Sequence, residues 1–112
     1  MSYIDNMSPS DFKAQRLSKN EARKQVTKII SKHPANIYFS SHALEELDND
    51  DLTTADALNV LKSPNSKIHK DGEFKNGSYR YRLETNNLMI VIAFQEAGDG
   101  ISIITAWDKR KR

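Results

Sequence analysis

The sequence contains no cysteine, which excludes disulfide bonds and zinc sites built from thiolates. No apolar run approaches the roughly 20 residues that a helix needs to cross a bilayer. The first residues lack both a basic start and an apolar centre, so a secretory signal is not expected. A chain of 112 residues has room for one hydrophobic core. These features predict a single cytoplasmic domain, 1–112, that does not enter a membrane.

Glycine and histidine are also scarce, with four and three residues respectively. There is no glycine-rich phosphate loop and no nucleophile elbow, so neither nucleotide hydrolysis nor serine-hydrolase chemistry is supported. The histidines, His33, His42 and His69, do not have the spacing of a zinc motif. We therefore expect neither a metal site nor a cofactor.

The sequence is rich in strand-forming residues between Ser78 and Trp107. Turn-forming residues at 85–87 and 97–100 divide this stretch into three segments, which predicts an antiparallel meander of three strands. The second segment, 88–94, is apolar on both faces and is therefore expected in the middle of the sheet.

The first and third strands of this meander predict a cationic face. Arg80 and Arg82 alternate with apolar residues, so both guanidinium groups should project from one side. In the third strand the same alternation places Ile103, Thr105 and Trp107 together on one side. Whether that side is the cationic one depends on the register, because a slip of one residue reverses it.

The N-terminal part of the chain predicts helices. A helix start at 8–11 lies within the segment 1–17, which is otherwise without pattern and is expected to be partly loose. Ser18 and Glu21 have capping-box spacing, and apolar residues recur on one helical stripe up to His33, before Pro34. We predict an amphipathic helix over 18–33.

Residues 36–108 are predicted to form the main body of the fold. A short strand at 36–39 precedes two short acidic helices that begin near Ser40 and Thr53, and a strand at 66–70 precedes an Asn76–Gly77 turn. Helices followed by strands predict an α+β fold, with the N-terminal helices packed on one face of a small curved antiparallel sheet. The other sheet face is left for a ligand, and residues 109–112 form a basic tail.

The net charge of +2 conceals a strong segregation of charge along the chain. Residues 11–32 carry seven Lys or Arg and two acids, residues 41–61 carry six acids and no Lys or Arg, and residues 62–112 carry ten bases and six acids. The pattern reflects either solvated helix faces and an ordinary basic tail, or a surface on the sheet side that binds a polyanion.

Several side chains are candidates for chemistry on a phosphate. His42 begins a helix, and a histidine there either caps the helix or acts as a general acid or base. Arg80 and Arg82 either hold phosphate oxygens or pair with acids such as Glu84 and Glu73. His69 is a second candidate for proton transfer. Further candidates for contact with RNA, as basic, stacking or hydroxyl groups, are Lys67, Lys70, Tyr81, Thr105, Trp107, Lys109 and Arg110.

The run FSSHALEELDNDDLTTADALNVLKSP at 39–64, an arginine-bearing strand, and ISIITAW at 101–107 resemble the bacterial DUF4258 family. The matched features are the Ser-x-His-Ala opening, the acidic helix pair closed by Leu-Lys-Ser-Pro, and the Ile-Thr-aromatic last strand. The family is similar to the RelE, BrnT and MqsR toxins. The resemblance covers 36–107 and implies a RelE-like, microbial RNase-like α+β fold.

The resemblance also implies a function, namely a metal-independent endoribonuclease toxin that acts on free or ribosome-bound RNA and is neutralised by a cognate antitoxin. It implies that His42 is the family histidine, that Arg80 or Arg82 is the strand arginine, and that Thr105 is the threonine of the last strand. Such cleavage needs a base for the 2′-hydroxyl, an acid for the leaving oxygen and cations around the phosphate. His42, His69 and the arginine pair offer groups of these types.

Two other functions fit the same residues. One is a non-catalytic module that binds RNA or protein. The other is an antitoxin or immunity-type partner that uses its acidic segment, 45–56, to contact a basic protein.

Overall fold

A computed structural model of the chain describes residues 14–69 and 71–111. The predicted helix start at 8–11 lies outside these ranges. Within them, the helices are too short and too polar to cross a membrane. The elements, in chain order, are α1 (Lys19–Lys32), β1 (Ile37–Phe39), α2 (Ser41–Asn49), α3 (Thr54–Lys62), β2 (Lys67–Ile68), β3 (Glu73–Lys75), β4 (Ser78–Glu84), β5 (Leu88–Phe94), β6 (Ile101–Asp108) and a final 3₁₀ helix (Lys109–Lys111).

The first helix, α1, begins and ends at the residues that the sequence indicates. The Ser18 hydroxyl accepts a hydrogen bond from the backbone N–H of Glu21 at 3.2 Å, and the Glu21 carboxylate accepts one from the N–H of Ser18 at 2.9 Å. This completes the capping box. The helix is capped at its C-terminus by His33, directly before Pro34, which cannot continue it. The prediction of a helix over 18–33 is confirmed.

The two short helices are fixed by their caps. Ser40 accepts a hydrogen bond from the N–H of Ala43 at 3.0 Å and starts α2, while Thr53 and Asp56 form a capping box that starts α3. Between them Asp51 adopts a left-handed conformation, φ 58°, which ends the run of helix. Both predicted acidic helices are therefore present.

The six strands form a sheet in the order β1-β6-β5-β4-β2, with β3 paired to β4 beside it. The predicted α+β class is confirmed. The expectation of a wholly antiparallel sheet is wrong at one edge, because β1 lies parallel to β6, with Ile37 opposite Ile101 and Phe39 opposite Ile103. The chain between these strands contains two helices and four strands, and a connection of that length permits parallel pairing.

The predicted turn at Asn76–Gly77 forms a tight hairpin. Both residues have positive φ, 52° and 89°, as a two-residue hairpin turn with right-handed strand twist requires. The turn joins β3 to β4, and β3 is a strand that is not predicted from the sequence. In this hairpin the Phe74 and Tyr79 rings meet edge to face, with centroids 5.0 Å apart.

All three helices contribute apolar residues to one core on one face of the sheet. The arrangement agrees with the prediction of helices packed on a single sheet face. The largest fully buried side chains of this core are Tyr81, Ile29, Leu61, Leu83, Ile90, Ile92, Ile101, Ile103, Val26 and Val60.

The register between β5 and β6 shifts in the middle of the sheet. Ile92 is opposite Ile103, but the preceding residue Val91 is opposite Thr105, so Ile104 is an extra residue in β6. Ser40 holds this bulge, because its N–H donates to the carbonyl oxygen of Ile103 at 3.0 Å and its hydroxyl donates to that of Ile104 at 2.7 Å. The bulge reverses the faces on which the residues after it lie.

Candidate functional site

The sheet face opposite the core carries the predicted arginine pair. Tyr81 and Leu83 of β4 are buried in the core, so the alternating residues Arg80 and Arg82 project from the other side. Arg82 is directly opposite Val91 of β5, which in turn is opposite Thr105 of β6. One row across three strands therefore places a guanidinium, an apolar side chain and a hydroxyl on this face, which we call the open face.

A pocket lies on the open face and encloses about 170 Å³. Four of its lining residues, Arg80, Arg82, Thr105 and Trp107, are candidates from the sequence. Thr105 and Trp107 share one face, as predicted, and this face is the arginine face, which the sequence left open. The prediction that Ile103 accompanies them is wrong. Ile103 is fully buried in the core because the bulge at Ile104 separates it from Thr105. Among the described residues, the lining consists of Glu73, Lys75, Arg80, Arg82, Val91, Thr105 and Trp107.

The two guanidinium groups have no partner among the described residues. The ion pairs there join other groups, and the side-chain hydrogen bonds do not include Arg80 or Arg82. The Nε of Arg80 is buried and makes no hydrogen bond. A buried donor without an acceptor costs roughly 1–3 kcal/mol.

The hairpin strand β3 supplies the other charges of the pocket. Glu73 is directly opposite Arg80, and Lys75 is opposite Ser78. Neither residue is among the site residues predicted from the sequence, although the Asn76–Gly77 turn implies a paired strand before it, whose alternate residues must share the arginine face. Within residues 14–69 and 71–111, the lining has three cations, Lys75, Arg80 and Arg82, and one carboxylate, Glu73, which gives these residues a net charge of +2.

His69 and Lys109 converge on one carboxylate away from the pocket. The Nε2 of His69 contacts one oxygen of Glu84, and the Nζ of Lys109 lies 2.6 Å from the other. The hydrogen bond from Lys109, followed by the nearby charge of His69, holds the pKa of Glu84 below its ordinary value. Lys109 also donates to the carbonyl of Thr85 at 3.1 Å. These two candidates therefore form a structural cluster at the end of β4.

His42 is exposed in the first turn of α2, and it does not line the pocket. The side chain of His42 forms no hydrogen bond and no ion pair with the described residues. The structure thus brings together four of the predicted residues, Arg80, Arg82, Thr105 and Trp107, and leaves both candidate histidines outside their pocket.

Tyr81 is corrected as a candidate for stacking on RNA. Only 2% of its surface is exposed, and its ring packs on Phe94 with centroids 5.3 Å apart. Its hydroxyl accepts from the N–H of Leu17 at 3.0 Å and donates to the carbonyl of Gln15 at 3.3 Å. Burial raises the pKa of this phenol. Alternation along β4 forces this outcome, because the residue between two outward arginines must face the core.

The remaining basic candidates differ in their surroundings. Arg110 is paired with Asp108, whose oxygens accept from its Nε and terminal nitrogen, both at 2.9 Å. This pairing holds the pKa of Asp108 below its ordinary value. Lys67 is exposed on β2, opposite Glu84. Lys70 lies outside the described residues.

The chemistry available in the pocket is that of an anion site with a proton acceptor. Guanidinium forks match phosphate oxygens, a carboxylate can take a proton, and an indole can stack on a planar ring. Over residues 14–69 and 71–111, the His, Asp and Glu side chains do not form a group of three that could hold a metal ion.

In comparisons with protein-family models, with curated proteins and with solved structures, nothing matches this chain. The resemblance to the DUF4258 family therefore stays a prediction based on the short motifs within 39–64 and 101–107.

Proposed function

We propose that this protein is a metal-independent endoribonuclease of the toxin type, which acts in the cytoplasm and is neutralised by a cognate antitoxin. The observation that supports the proposal is the pair Arg80 and Arg82, which point into one pocket and have no partner among the described residues. Two guanidinium groups fixed on a strand suit a phosphodiester, whose negative charge increases in the transition state.

Glu73 is the one carboxylate among the described residues that line this pocket, and we assign it the role of proton acceptor. It takes the proton of the ribose 2′-hydroxyl as the 2′-oxygen forms its bond to phosphorus. The bond from phosphorus to the 5′-oxygen then breaks, and the Lys75 ammonium gives a proton to that leaving oxygen. The products are a 2′,3′-cyclic phosphate and a free 5′-hydroxyl, so atoms and charge balance without a metal ion.

The cleavage assay uses purified protein, total RNA and excess EDTA, with analysis of the RNA ends. The test variant is the double substitution Arg80→Ala, Arg82→Ala. The matched control is Lys24→Ala, Lys28→Ala, which removes the same charge from exposed positions of α1. We expect fragments with 2′,3′-cyclic phosphate ends from the wild type and the control, and their loss in the arginine variant. Intact RNA with the wild type would contradict the proposal.

A growth assay with induced expression tests the biological role. We expect the wild type to arrest growth and the arginine double variant to be harmless at equal expression. Equal toxicity of the two proteins would contradict the assignment of the site.

A non-catalytic RNA-binding module is the second candidate. The observation that favours it is the position of His42 and His69 outside the pocket, which leaves the pocket without a side chain that ordinarily titrates near neutral pH. This candidate predicts salt-sensitive RNA binding with no cleavage products.

A further inference from the structure

We infer that two copies of this chain associate in solution through the edge strand β1, which pairs in antiparallel orientation with β1 of the second copy. The two sheets then form one continuous sheet across a two-fold axis. The inference goes beyond the proposed function and does not depend on it, because the residues of β1 do not line the pocket on the open face.

The backbone of β1 is bonded to β6 through alternate residues. The carbonyl of Asn36 accepts from the N–H of Ile101 at 2.9 Å, and the N–H of Ser40 donates to the carbonyl of Ile103 at 3.0 Å. In a parallel pair the residues that bond to the partner strand recur at every second position. Asn36, Tyr38 and Ser40 therefore direct their backbone groups at β6.

The residues between them, Ile37 and Phe39, direct their N–H and C=O groups away from β6. Within residues 14–69 and 71–111, β1 has no second neighbouring strand, and these outward groups have no hydrogen-bond partner. Free backbone groups along an edge are a template for pairing with another strand. The sheet thus ends, at β1, on groups that a further strand can use.

The side chains of β1 do not protect this edge. Charged residues and proline commonly prevent pairing at an edge strand, and β1, Ile37–Phe39, contains neither. At the other side of the sheet, β2 carries Lys67, and β3 carries Glu73 and Lys75. Tyr38 is moreover 51% exposed, as one of the few large apolar side chains at the surface. A strand that pairs with β1 would cover it.

The arrangement of the free groups favours a second copy of β1 as that strand. Ile37 and Phe39 flank Tyr38, so a two-fold axis at Tyr38 places Ile37 of each copy opposite Phe39 of the other. Each of these antiparallel pairs exchanges two hydrogen bonds, and together they use every outward N–H and C=O group of both strands. The two Tyr38 side chains then lie opposite each other and can pack together.

The symmetry also fixes how the two molecules are oriented. Ile37 and Phe39 pack against the core, so Tyr38 projects from the open face. Because the two Tyr38 side chains share one face of the joined sheet, the open faces of both copies lie on the same side. The contact consists of one short strand from each copy, so we expect a weak dimer in exchange with the monomer.

The chain has no cysteine, so a single introduced cysteine tests the contact directly. Opposite residues of a non-hydrogen-bonded antiparallel pair have Cα atoms about 4.5 Å apart, within the roughly 4.4–6.8 Å that a disulfide bridges. With oxidised glutathione as the oxidant, we expect Tyr38→Cys to form a covalent dimer. Phe74→Cys is the matched control, because Phe74 is 58% exposed on β3, and it should stay largely monomeric. Equal cross-linking of the two variants would overturn the inference.

Sedimentation equilibrium measures the association of the unmodified protein. We expect the average mass to rise with concentration up to about 1 mM. Tyr38→Lys places two like charges opposite each other across the axis and should raise the dissociation constant at least about fivefold, whereas Phe74→Lys should associate like the wild type. A wild-type protein that stays monomeric over this range would overturn the inference, as would equal association of the two lysine variants.

Hydrogen exchange tests which backbone groups form the contact. The amides of Ile37 and Phe39 point out of the sheet of the single copy, so their exchange should become slower as the protein concentration rises. The amide of Ser40, which is bonded to Ile103, should exchange at the same rate throughout. Association that leaves the exchange of Ile37 and Phe39 unchanged would show that another surface joins the copies, and it would overturn the inference.

Discussion

Ile103 and Thr105 stand two residues apart on β6, yet their side chains lie on opposite faces of the sheet. Ile103 is opposite Ile92 and is fully buried in the core, whereas Thr105 is opposite Val91 and lines the pocket with Arg82. In a regular strand both would lie on one face. The extra residue Ile104 therefore determines that Thr105 and Trp107 belong to the candidate site.

The first prediction concerns Ser40, which caps α2 and also donates to the carbonyl of the bulge residue Ile104. Ser40→Ala should lower the free energy of unfolding by about 1–2 kcal/mol, since the cap alone contributes about 1 kcal/mol and the bulge loses a hydrogen bond. Because the bulge orients the end of β6, the emission maximum of Trp107 should also shift. Denaturant unfolding and fluorescence measure the two effects.

Thr53→Ala is the matched control for this prediction. Thr53 caps α3 through a similar bond to the N–H of Asp56, but it has no contact with β6 among its hydrogen bonds. It should cost about 1 kcal/mol and leave the Trp107 emission unchanged. If both variants leave the emission unchanged, Ser40 does not hold the bulge in the way we describe.

The helix starts, the hairpin turn and the buried face of β4 are predicted well from the sequence, because their signals are local. The capping box of Ser18 and Glu21, the cap of Ser40 and the turn at Asn76–Gly77 each need only neighbouring residues, so their patterns are readable without the rest of the chain. The buried position of Tyr81 follows in the same way from its place between two arginines.

Other features depend on partners far away in sequence. The shift at Ile104 depends on Ser40, which lies 64 residues away, and alternation within β6 cannot reveal it. Likewise the sequence predicts His69 as a candidate for proton transfer and Lys109 as a contact for RNA. Both residues contact Glu84 of β4, His69 because β2 pairs with β4 and Lys109 because it follows the end of β6. These contacts depend on the folded sheet and cannot be predicted from the neighbouring sequence.

The second prediction concerns Glu73, the proposed proton acceptor. Glu73→Gln keeps the size of the side chain but removes the carboxylate, so the cleavage rate should fall by about 10²–10⁴-fold. Affinity for a random-sequence octanucleotide of 2′-O-methyl RNA, which cannot be cleaved because its 2′-oxygen is blocked, should stay the same or rise, because a negative charge leaves the phosphate site. Single-turnover kinetics measure the cleavage rate, and the fluorescence anisotropy of a labelled octanucleotide measures the affinity.

Glu45→Gln is the control for Glu73, since Glu45 is exposed on α2 and does not line the pocket. It should cleave like the wild type. A Glu73→Gln protein that retains wild-type cleavage would exclude Glu73 as the base.

The third prediction concerns the pH dependence that Glu84 gives to stability. Its pKa in the folded protein is lowered from an ordinary value of 4.5, so the unfolded chain binds a proton more readily. The stabilisation is therefore present above pH 4.5 and is lost as the pH falls through the folded pKa. Glu84→Gln should destabilise the protein by about 1 kcal/mol at pH 7, and this difference should shrink in acid.

Urea unfolding at a series of pH values measures this dependence. A difference between wild type and Glu84→Gln that is constant from neutral to acid pH would contradict the ion pairs with Lys109 and His69. The same variant releases both cations, so we also expect slightly tighter binding of RNA.

The most direct test of the account is the salt dependence of binding to the 2′-O-methyl octanucleotide. Each phosphate contact on a single strand contributes about 0.7 to the slope of log affinity against log salt concentration. The double variant Arg80→Ala, Arg82→Ala should therefore have a slope that is smaller by up to about 1.4, and it should bind more weakly. The control double variant Lys24→Ala, Lys28→Ala should keep the wild-type slope. An unchanged slope in the arginine variant, or an equal loss in the lysine control, would contradict a phosphate site on the open face.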